Sequence, residues 1–91
     1  MSYFTTVVKT NYTHDYLKSH QREIEKIIKT NTFFTSVQSS IMNLSNNNEI
    51  HFKIFIWTLN NQEIKQVHKE DLFLKIKSIL GEQSIISIEL N

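Results

Sequence analysis

Proline is absent from this chain and glycine occurs once, at Gly81. Sharp reversals must therefore be made by other residues. Asparagine is the natural substitute, because its short side chain tolerates left-handed backbone and bonds to nearby peptide groups. Asparagines punctuate the sequence at Asn11, at Asn46-Asn47-Asn48 and at Asn60-Asn61. With Gly81 these positions divide the chain into five pieces, none long and polar enough to be a linker. The 91 residues suit one domain spanning residues 1–91, with one modest core.

Each piece carries a periodic signature. Residues 3–9 alternate Phe4, Thr6 and Val8 against Tyr3, Thr5 and Val7, which predicts a strand. Thr13 offers an N-cap and Asp15 an anion in the first turn. From there Leu17, Ile24 and Ile28, joined by Tyr16, His20 and Ile27, form one apolar stripe at helical spacing, so a helix is expected over 13–30. Residues 32–44 are rich in Phe, Thr, Ser, Val and Ile and read as a second strand. Residues 49–59 are the clearest strand of all, and the asparagine triplet between them predicts an antiparallel hairpin.

Beyond Asn61 the pattern is ambiguous, since Ile64 and Val67 fit either an extended strand or a helix start. After Lys69 a stripe of Leu72, Phe73, Ile76, Ile79 and Leu80 predicts a second helix, with Glu70 and Asp71 at its head and Gly81 as a left-handed cap. Residues 84–90 place Ile86, Ile88 and Leu90 on one face of a closing strand. The order is β-α-β-β-α-β. Its compact solution is an α+β, ferredoxin-like two-layer sandwich, with two helices on one face of a four-stranded antiparallel sheet. Right-handed crossovers put the first and third strands in the centre.

Composition narrows the function classes. Ten Lys/Arg oppose nine Asp/Glu for a formal +1, without the basic block that suits nucleic acid or anionic lipid. No apolar run approaches the ~20 residues needed to span a bilayer, and the N-terminus lacks a secretory signature, so a cytoplasmic location without membrane insertion is expected. With no cysteine, neither disulfides nor a thiolate metal site is available. The histidines His14, His20, His51 and His68 lack the short spacings of metal ligands. One glycine builds no phosphate loop and no nucleophile elbow. The expectation is a non-enzyme with no metal, no cofactor and no small-molecule ligand.

What remains is surface. Alternation along 49–59 sets Phe52, Ile54 and Ile56 against His51, Lys53, Phe55 and Trp57. If the first set meets the helices, the second lies on the open sheet face. Aromatics beside lysine resemble a single-stranded RNA platform, but the glycine-containing aromatic motif of such platforms is missing and the net charge is low. A protein partner is the better fit.

The whole arrangement resembles the C-terminal cytoplasmic α/β domain of the small-conductance mechanosensitive channel (MscS) family. Asn11-Tyr12-Thr13-His14-Asp15 is similar to that family's Tyr-x-x-Asp helix opening, and Phe55-Ile56-Trp57-Thr58 to its strand ending in tryptophan. Lys69-Glu70-Asp71-Leu72 with Ile76 and Leu80 looks like its second helix, and Ser84-Ile85-Ile86-Ser87-Ile88 like its closing strand. The family's prolines, at the start of strand two and in the tail, have no counterpart here. The resemblance implies a non-enzymatic assembly domain in a cytoplasmic vestibule, packing against copies of itself through Lys53, Phe55, Trp57, Ile86 and Ile88. The competing reading is a stand-alone binding or regulatory protein, of immunity, phage or regulator type, that uses the open sheet for a protein partner.

Overall fold

A computed structural model describes residues 3–44 and 49–90. Strands β1 (Tyr3–Thr10), β2 (Phe34–Leu44), β3 (Glu49–Thr58) and β4 (Ile85–Leu90) and helices α1 (His14–Lys29) and α2 (Gln66–Leu80) follow one another as βαββαβ. The sheet is antiparallel throughout, in the order β2-β3-β1-β4. This is the ferredoxin-like α+β arrangement, with β1 and β3 central. The asparagine triplet expected to turn the hairpin lies outside the described residues.

The two-residue period of β3 decides which face is covered. Phe52, Ile54 and Ile56 are fully buried, whereas His51, Lys53, Phe55 and Trp57 between them are half-buried. Leu17, Ile24 and Ile28 of α1 and Leu72, Ile76 and Leu80 of α2 complete the core, each stripe falling at helical spacing. Val8 of β1, opposite Phe52, belongs to the same core.

Two threonines share that covered side. Thr6 and Thr10 are fully buried, and neither Oγ1 has a hydrogen-bond partner among the described residues. A buried hydroxyl without a partner costs about 1–3 kcal/mol of desolvation, and valine keeps the branched shape without it. Thr6→Val is expected to stabilise the domain by about 1 kcal/mol. A thermal melt should show this as a rise of roughly 4–8 °C; a fall would mean that the hydroxyl is satisfied in solution.

Local chemistry sets the boundaries. Thr13 caps α1, its Oγ1 accepting from the Tyr16 amide at 3.2 Å. β2 starts at Phe34 rather than Thr32, because Asn31 takes the intervening residues into a turn. Its Oδ1 accepts the Phe33 amide at 3.0 Å and its carbonyl accepts the Phe34 amide at 3.0 Å. β3 stops at Thr58, where a single 3-10 turn follows, and Asn60 there is left-handed at φ 55°. That is the role expected of asparagine in this chain.

α2 begins at Gln66, earlier than the apolar stripe suggests, so Glu70 and Asp71 are not at its head. The His68 ring performs the capping instead. Its Nδ1 accepts the Lys65 amide at 3.3 Å, while its face stacks on Phe33 with centroids 3.7 Å apart. Asp71 serves the helix–helix junction. It pairs with Lys75 at 3.0 Å and accepts from Asn31 Nδ2 at 3.2 Å. Burial pushes the Asp71 carboxyl up, but the hydrogen bonds from Lys75 and Asn31 outweigh it and hold the group below its usual range.

Gly81 closes α2, and Tyr16 Oη donates to the last helical carbonyl, that of Leu80, at 2.8 Å. The cap is not the left-handed one expected. Gly81 has φ 81° and ψ 164°, an extended mirror-image conformation that is essentially confined to glycine. β4 is also irregular. A bulge between Lys9 and Thr10 pairs Thr10 with Ile85 but Lys9 with Ser87, which removes Ile86 from the face shared by Ile88 and Leu90. Ile85 takes its place against the core.

Candidate interaction surface

The side of the sheet away from the helices is built by odd-numbered residues of β1 and β3. The register sets Tyr3 opposite Trp57, Thr5 opposite Phe55, Val7 opposite Lys53 and Lys9 opposite His51. At the upper end the rings gather. Tyr3 lies 5.2 Å from Trp57 and 5.9 Å from Phe55, centroid to centroid, the latter edge-on. These are favourable aromatic geometries. Tyr3 is 55% exposed, so the cluster presents ring surface to solvent.

Polar pairs occupy the lower end. Lys9 Nζ lies 2.7 Å from Glu89, and this carboxylate, by its hydrogen bond and charge, holds the Lys9 ammonium pKa above its usual value. His51 Nε2 lies 3.4 Å from Glu49. Lys53 stands between the two zones and makes no ion pair among the described residues. With Lys9 and Lys53 balanced by Glu49 and Glu89, the face carries no net formal charge with His51 neutral. Such a surface gives a phosphate backbone little to bind.

The five residues singled out in the sequence fall in two places. Lys53, Phe55 and Trp57 share the open face. Ile86 and Ile88 do not join them. They line a shallow groove between β4 and α2, together with Phe73, Lys77 and Ile85. Ile86 is 48% exposed there, whereas Ile88 packs against the core. Tyr3 belongs to the open-face cluster and was missed. Its alternation with Thr5 and Val7 marked the correct face, but its place beside Trp57 depends on the β1–β3 register.

The histidines are dispersed. His20 Nδ1 lies 2.8 Å from the Tyr16 carbonyl, its own helix's backbone, His51 is paired with Glu49, and His68 caps α2. Among the described residues no three His, Cys, Asp or Glu side chains gather as a metal site would require. No helix among them is long and apolar enough to cross a membrane. What the open face can do chemically is offer ring faces and edges, one unpaired ammonium and two carboxylates to another surface. No protein-family model matches the chain, and no curated protein matches it.

Proposed function

We propose that this domain is a non-enzymatic assembly module whose open sheet face docks a further copy of the same chain. The observation that carries the reading is the ring cluster of exposed Tyr3 with half-buried Phe55 and Trp57 on the side that the helices leave bare. Large rings set beside polar groups are what interface centres are made from. A second copy suits the charge pattern as well. The face holds both signs, so Lys53 of one copy finds a carboxylate, Glu49 or Glu89, on another.

The likeness to the cytoplasmic vestibule domain of mechanosensitive channels supports the same role. There the domain packs around a ring on the cytoplasmic side of a membrane protein and conducts no ions itself. A stand-alone regulator with a different protein partner is the second reading, and the same rings would serve it.

Light scattering across a concentration series tests the proposal. Wild-type chain is expected to self-associate, and Trp57→Ala to weaken that association by roughly 10–30-fold, the loss typical of a central aromatic anchor. Self-association indifferent to Trp57→Ala would remove the face from the interface. A chain that stays monomeric throughout would turn attention to the second reading.

A further inference from the structure

Besides its bare face the sheet has two unpaired edges, and the chain treats them differently. A sheet edge presents a row of free N–H and C=O groups, which natural proteins guard by brevity, charge, proline or bulges. The β4 edge is guarded. It has six residues, a bulge beside its start and Glu89 within it.

The β2 edge is not. It runs for eleven residues, Phe-Thr-Ser-Val-Gln-Ser-Ser-Ile-Met-Asn-Leu, with no charged residue and no proline. Its one irregularity sits at the very start, between Phe34 and Ser36, and from Ser36 to Leu44 it stays in unbroken register with β3. Small hydroxyl side chains at Ser36, Ser39 and Ser40 leave its flanks uncrowded.

We propose that β2 pairs antiparallel with β2 of a second copy about a two-fold axis, joining two four-stranded sheets into one of eight. The occupant follows from the strand itself. Antiparallel self-pairing about an axis near Ser39 sets Val37 beside Ile41 and Gln38 beside Ser40 of the other copy. Side chains on the covered face therefore meet covered side chains, and open meet open.

The helix above the edge marks the same point, and pairing there shares the Ser39 carbonyl between Gln21 and the second copy. Gln21 Nε2 donates to the Ser39 carbonyl at 3.1 Å and to Ser39 Oγ at 2.9 Å, and Ser39 Oγ donates to Glu25. The middle of α1 thus lies over Ser39. Two such helices run antiparallel across the axis, with the exposed Arg22 of each copy beside Glu25 of the other. Lys18 and Lys29 meet less favourably at the ends, which keeps the pairing moderate in strength. Because the contact is isologous and the far edge is guarded, assembly through edges closes at two chains.

This edge contact is independent of docking through the open face, and the two leave different traces. A face contact shields side chains across β1 and β3. An edge contact shields alternate β2 amides, those whose N–H groups point away from β3. The test is sedimentation equilibrium of the wild-type chain from about 10 µM to about 1 mM, with amide exchange followed by NMR at both ends of that range.

The expected result is association in which every second amide between residues 36 and 43 is slowed by roughly tenfold or more at high concentration, in Trp57→Ala as in wild type. In Gln38→Lys/Ser40→Lys, four ammonium groups gather around the axis. Ser40→Lys stands opposite Lys53, so that chain is expected to melt slightly lower, and to lose the alternating β2 protection as it dissociates at least tenfold more readily. A wild-type chain monomeric at the highest concentration, association without alternating protection in β2, or a doubly substituted chain that pairs as well as wild type would each overturn the proposal.

Discussion

Phe52→Ala is expected to remove a large share of the stability of this domain. Phe52 is fully buried on the covered side of β3, with Val8 and Ile41 as its register partners on either side. Truncating such a phenylalanine costs about 3–5 kcal/mol, as lost transfer energy and as the cavity left behind. A chain of 91 residues holds on the order of 5–13 kcal/mol in total, from ~0.05–0.15 kcal/mol per residue. Urea titration should find the variant largely unfolded at low denaturant, or with its midpoint cut by about half. Phe55→Ala, three residues along on the open face, is the comparison. Phe55 touches rings at a surface rather than filling the core, so its loss should cost about 1 kcal/mol, the worth of an aromatic pair. Equal effects at the two positions would contradict the assignment of faces.

The second large effect is expected at Gly81. With φ 81° and ψ 164°, any side chain there is strained by about 1–3 kcal/mol. A methyl group at the Cβ position would also meet Tyr12 Oη at 3.2 Å. Gly81→Ala should therefore lower the melting temperature by roughly 4–24 °C, at ~4–8 °C per kcal/mol. Gly81→Asn distinguishes the conformations. In an ordinary left-handed cap asparagine is tolerated nearly as well as glycine, whereas in the conformation observed it should be no better than alanine. Thermal melts of the two variants side by side decide the matter, and recovery by asparagine would place the residue in the left-handed well.

The parts of this fold that were legible in the sequence are those written in periodicity. Alternation at Phe52, Ile54 and Ile56 identified the covered side of β3, and the stripes of Leu17, Ile24, Ile28 and of Leu72, Ile76, Leu80 identified both helix faces. Three kinds of information were not written that way. The start of α2 depends on His68, a ring that caps through Nδ1 and stacks on Phe33; neither contact follows from residue spacing. The first turn also carries Val67 at 63% exposure, so an apolar residue there points to no face. The position of Ile86 depends on a bulge, and one inserted residue exchanges the faces of a strand. Hence Ile86 left the face it was expected to share with Ile88, which packs against the core opposite Val8. The surface itself was half visible: the β3 rings follow from alternation, but Tyr3 joins them only once the strand register is known.

The strand order has a consequence for how the chain assembles in time. β1 precedes the other three strands in sequence, yet it lies between β3 and β4, and its pairing of Thr6 with Leu90 joins segments more than eighty residues apart. The hairpin of β2 and β3, by contrast, closes over a short loop, and α1 packs directly on β2. Short-range closure is entropically cheap and fast, while contacts between distant segments form slowly. The topology thus places the β2–β3 hairpin with α1 at the head of the folding order. β1 waits, half-enclosed, until the six-residue β4 seals it in.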